Sequence, residues 1–125
     1  MPAIPEPNNL GDLLKYEAPN RYSRDVATIA AGQNLPLGCI VGRVTMTGKV
    51  KQLDPGAEDG SHLPVGILLA DVDATLIDRE DALILARHGV VASKAVVWPV
   101  EISNAQQAAI TSQLASLGIL IRQSA

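Results

Sequence analysis

From residue 25 onward, apolar side chains fall in short consecutive runs broken by glycine and proline, which is the rhythm of strands rather than of helices. Strands are predicted over 26–29 and 37–45, the second turning at Thr47-Gly48 into 49–53, where Lys49 and Lys51 project to one side and Val50 to the other. Residues 65–72 and 82–87 are apolar at successive positions, so both are read as strands buried on two faces. A loop is expected at 54–62, where glycine, proline and three acids crowd together, and a solvated acidic turn at 71–81. A further strand is expected over 90–98, stopping at Pro99, which cannot donate to a ladder.

One helix stands out, over 104–117. Ser103 and Gln106 have capping-box spacing, Ile110, Leu114 and Leu117 recur at helical intervals, and Gly118 sits where a left-handed cap is wanted. Its alanine face is expected to pack closely on the body, and 119–121 to return as a last strand. The fold class is therefore mainly β with one C-terminal helix (α+β), in a single domain over 25–125.

Residues 1–24 read differently. Pro2, Pro5, Pro7 and Pro19 hold the chain extended and deny it helix, yet Ile4, Leu10, Leu13, Leu14, Tyr16 and Tyr22 are too apolar for a purely solvating tail. The segment is expected to be an N-terminal arm that docks on something.

Composition narrows the function. The apolar residues make up 47% of the chain, Phe is absent, and the aromatic side chains are Tyr16, Tyr22 and Trp98, so the core must be aliphatic. With a formal charge of -3 and almost no aromatic platforms, nucleic acid is not an expected partner. No apolar run approaches the roughly 18 residues of a membrane span, and no membrane partner is expected. Cys39 lies within an apolar run and is read as a buried thiol, which suits folding in a reducing cytoplasm.

The strongest chemical lure is the D-x-D-x-T sequence Asp71, Asp73, Thr75, which resembles the signature of haloacid-dehalogenase phosphatases, with Asp71 as nucleophile and Asp73 as acid/base. That chemistry needs a doubly wound sheet and later lysine and acidic partners, and only 50 residues follow Thr75. As a calcium loop the segment fails twice, with Leu76 where glycine is wanted and Ala82 where a bidentate glutamate is wanted. His62 and His88 lack companions for a zinc set, and no nucleophile elbow or phosphate-cradling glycine pattern occurs. No catalytic residue, metal site or cofactor is expected.

The order of punctuating residues is more telling. Asp59-Gly60, Val65-Gly66-Ile67-Leu68, His88-Gly89, Val97-Trp98-Pro99, the capped helix, Gly118 and the terminal apolar strand together resemble the head decoration proteins of lambda-like tailed phages. The resemblance implies a β-clip type of fold and a homotrimer. It implies a place on the outer surface of the virion, on the threefold and quasi-threefold positions of an expanded head assembled in the host cytoplasm. The partner would be the major capsid protein, gripped when the arm adds a strand to it. Leu10, Leu13, Leu14, Tyr16 and Tyr22 would be the capsid-binding anchors, and Trp98 with Pro99 would line the trimer interface or close the core. Two alternatives stay open: a small metal-dependent hydrolase using Asp71 and Asp73, and a generic β-rich adaptor with a docking arm.

Overall fold

The structure is a computed structural model and describes residues 9–19 and 22–123. A helical turn, α1 (Leu10–Leu13), leads into β1 (Leu14–Glu17). Seven strands follow: β2 (Arg24–Ile29), β3 (Gln33–Leu35), β4 (Ile40–Arg43), β5 (Val50–Gln52), β6 (Pro64–Leu68), β7 (Val72–Ala74) and β8 (Arg79–Leu85). The chain closes with β9 (Gly89–Ala92), the helix α2 (Asn104–Ser116) and β10 (Ile119–Arg122). Strands dominate, and α2 is the one long helix among the described residues.

Five strands close a barrel in the order β2-β5-β4-β6-β8, β3 pairs with β7, and β1, β9 and β10 form a separate three-stranded sheet. The consecutive apolar runs have a direct explanation here. Ile40, Ile67 and Leu85 face one core, with Ile110 and Leu114 of α2, while their chain neighbours Val41, Leu68 and Ile84 face the other, inside the barrel. Because side chains alternate along a strand, a strand shared by two cores must be apolar at every position. Each fully buried Leu or Ile contributes about 1.5–3 kcal/mol from the removal of its apolar surface from water.

Three expectations are corrected. The strand expected over 90–98 ends at Ala92, where a 3-10 turn, Ser93–Ala95, carries the chain off the sheet. It then meets the barrel through a parallel bridge between Val97 and Cys39, with Val97 N–H donating to Gly38 O at 2.9 Å. The acidic stretch 71–81 is not one solvated turn but holds β7 and the start of β8, since buried Val72 and Ala74 pull it onto the barrel core. The alanine face of α2 points outward, and the helix buries Ile110 and Leu114, which remove more apolar area from water than alanine can. Within the expected arm, residues 10–17 form α1 and β1, with Leu13 in the core and β1 paired with β9.

The predicted caps of α2 are present. Ser103 Oγ accepts from Gln106 N–H at 3.1 Å and Gln106 Oε1 accepts from Ser103 N–H at 3.0 Å. At Gly118 φ is +82°, and a Cβ there would lie 2.4 Å from His88 Cδ2, so the turn into β10 requires glycine on both counts.

Candidate docking surface

The root of the arm is built from short-range hydrogen bonds and one deep anchor. Asn9 caps α1: its Oδ1 accepts from Asp12 N–H and Asp12 Oδ2 accepts from Asn9 N–H, both at 3.0 Å. That reciprocal cap makes a single turn of helix possible and drives Leu13 into the core, where it is fully buried among Leu85, Val91 and Ile119. β1 then pairs antiparallel with β9, Tyr16 opposite Val90 and Glu17 opposite Gly89, with a bulge between Leu14 and Tyr16.

Behind β1 the chain is stitched down again at Ser23, which is fully buried. Its hydroxyl accepts from Ala18 N–H at 2.9 Å and donates to His88 O at 2.8 Å, tying β1 to the β8–β9 turn. Arg24 makes a two-pronged contact with Glu17, at 2.8 and 2.7 Å, and that hydrogen-bonded pairing raises the guanidinium's pKa. Nearby, Arg87 bonds Asp25 at 2.6 Å and lies over the Tyr22 ring, which tilts against His88 at 5.4 Å. Sequence reasoning missed Ser23 and the Glu17–Arg24 pair. Opposite charges on either side of Pro19 are the one signal that could have pointed to them.

The five expected anchors thus have different environments. Leu13 belongs to the chain's own core, Leu10 and Leu14 pack half-buried against it, and Tyr16 and Tyr22 are exposed. Residues 1–8 of the expected arm lie outside the described residues. Trp98 is half-buried against the same core as Leu13, far along the chain, and Pro99 is buried beside it.

The acidic segment has local work. Asp71 Oδ1 accepts from Leu37 N–H at 2.7 Å, Asp73 accepts from both the N–H and the hydroxyl of Thr75, and Asp78 accepts from Ala31 N–H at 2.8 Å while pairing with Lys49 at 2.7 Å. The Thr75 contacts hold Asp73 below the usual carboxylate range, and Lys49 with the Ala31 amide does the same for Asp78. Asp71 and Asp73 are therefore turn-forming acceptors, engaged with backbone groups of two different loops. In the 54–62 loop, Asp59 is held well below its ordinary value, chiefly by Ser61 and then by Lys51 at 3.1 Å. Cys39 is buried, and desolvation pushes its thiol up to about 12.

The described Asp71, Asp73 and Asp78 thus serve turns and loop contacts of a β-barrel, its thiol is sealed, and its first strand is joined to the body. The chain matches the family model described as bacteriophage lambda head decoration protein D over residues 3–119, and it belongs to that family. None of the curated proteins compared with it matches.

Proposed function

We propose that the protein is a capsid cementing protein that works as a homotrimer. It sits on the outer surface of the expanded phage head, at threefold and quasi-threefold positions, and stabilises the shell against internal DNA pressure. The observation that carries this reading is the family match over 3–119. The protein grips without bond-making chemistry, its partner is the major capsid protein, and the N-terminal segment adds a strand to that partner.

The structure shapes this proposal at the root. With Leu13 in the core and Ser23 stitching β1 down, the part of the arm left to grip the capsid is 1–8, with half-buried Leu10 and exposed Tyr16 and Tyr22 as further candidate contacts. A short added strand makes about five backbone hydrogen bonds, each worth roughly 0.5–1.5 kcal/mol net, from which ordering costs are subtracted. One such arm binds weakly. Three arms on one trimer raise the affinity by roughly 100-fold to 10,000-fold through linkage alone. Because binding favours the expanded shell only, mass action shifts the shell toward that state.

The test is to mix the protein with empty expanded capsids, follow co-sedimentation and heat resistance of the shells, and image the threefold positions. Removing 1–24 would extract Leu13 and Ser23 from the interior and confuse binding with folding, so the informative truncation removes 1–8. The truncated protein is expected to keep its thermal transition and lose co-sedimentation. Retained binding would place the grip on the body of the domain and refute the arm's role.

A further inference from the structure

The outer face of the three-stranded sheet carries a row of apolar side chains that the core does not use. Tyr16 of β1 and Leu120 of β10 both stand opposite Val90 of β9. Directly opposed residues project to the same face of a sheet. That face is turned away from the core: Val91 and Ile119, next to the row along their strands, are fully buried, whereas Tyr16 is 57% and Leu120 36% exposed. Val90 lies half-buried between them. The chain has three aromatic side chains, and one of them stands largely in solvent here.

Charge sets this face apart. Arg122 follows Leu120 by two residues on β10, which places it on the same face, and it is exposed. Lys15 precedes Tyr16 on β1 and is exposed as well, its Nζ donating to Gly11 O at 2.7 Å. Neither cation joins an ion pair among the described residues, while the acids nearby are already matched, Glu17 with Arg24 and Asp25 with Arg87. In a chain of formal charge -3, an apolar row with a cation at each end runs against the overall balance.

We propose that this face is a second contact with the major capsid protein, seated on an apolar patch of that protein bordered by carboxylates. The inference rests on the capsid reading above and extends it from the arm to Val90, Leu120 and Arg122, with Tyr16 at the junction. Charge and position choose the occupant. A second copy laid face to face on the row would bring Lys15 and Arg122 against the same cations of its mate, and such like-charge contacts are costly. Carboxylates around an apolar socket match both ends of the row instead, and Tyr and Arg are the side chains that most often dominate protein interfaces. Position supplies the second argument. From Asn9, where 1–8 joins the described body, to Tyr16 the chain path is one helical turn and three strand residues, at most about 16 Å. A segment 1–8 held on the capsid therefore presents this face to the same protein at high effective concentration. Arm and face are each weak alone, and linkage makes the loss of either one costly.

Titrating the full chain against empty expanded capsids at low and high salt, with co-sedimentation as the readout, tests this. Tyr16→Ser/Leu120→Ser alters exposed positions only, and is expected to weaken binding by about tenfold or more at either salt. Its far-UV spectrum, thermal midpoint and light-scattering mass should match those of the wild type. Arg122→Glu should weaken binding strongly at low salt and less at high salt, as a charge at an interface rim does, while Arg122→Lys should bind like the wild type. Unchanged binding by either the double variant or Arg122→Glu overturns the proposal, the first by removing the apolar row and the second by removing the acidic border. A variant whose light-scattering mass falls makes the row a contact between copies, which also overturns it. So does wild-type binding to phosphatidylserine-rich vesicles that the variants lose while keeping the capsid, since the face would then belong to a lipid surface. A wild-type protein that stays in the supernatant at every concentration sinks the capsid reading itself, and this inference with it.

Discussion

Leu13 and Ser23 together hold the first described strand on the body of the protein. Leu13 fills a site in the core with no exposed surface, so Leu13→Ala is expected to cost about 2–5 kcal/mol, read as a lower urea midpoint at unchanged slope. Ser23→Ala leaves the Ala18 N–H and the His88 carbonyl without their partner and should cost about 1–3 kcal/mol, with faster amide exchange at 14–18 as its local signature. Cys39 makes the opposite statement. With its thiol pushed up to about 12 in a sealed site, labelling at neutral pH should proceed no faster than the protein unfolds. Asp59 sets an acid limit. Its carboxyl is held below the ordinary value in the folded state, so the stability it contributes is present above about pH 4 and is lost as pH falls toward the folded value. Asp59→Asn should flatten the fall of melting temperature across that acid range, and an undiminished fall would assign the acid sensitivity to Asp73 and Asp78.

At the scale of the element, α2 depends on its cap, and Ser103→Ala is expected to destabilise the domain by about 1 kcal/mol in a thermal melt. This helix was legible beforehand because capping, periodicity and a terminal glycine all act within a few residues of one another. The doubly buried strands were legible too, since Ile40-Val41, Ile67-Leu68 and Ile84-Leu85 leave no polar side for water. What could not be read is everything that depends on a distant partner. The four residues of β1 carry no pattern of their own; they are a strand because β9 offers a ladder and Leu13 a place in the core. The break at Ser93–Ala95 is likewise imposed by the need to pass from sheet to barrel, and the outward alanines of α2 follow from competition with larger residues on the same helix. As for the site, the aromatic residues of the arm were legible as candidates. The row that Tyr16, Val90 and Leu120 form across the sheet was not, because it exists only once three strands have set their registers.

For the whole molecule, the barrel and the three-stranded sheet share Ile40, Ile67 and Leu85 as walls of a common core with α2, so unfolding should be a single cooperative transition. Circular dichroism and hydrogen exchange at β1 are expected to report the same midpoint; an earlier loss of protection at β1 would show the sheet opening on its own. The attachment of β1 also sets how the protein carries load. A pull directed along β1 runs crosswise to the ladder that joins it to β9. Ladder bonds perpendicular to the strands are then strained together rather than one after another, as they would be if the strand were peeled from its end. On the proposed function, tension arriving from a swelling shell would be spread over β9 and the aliphatic interior.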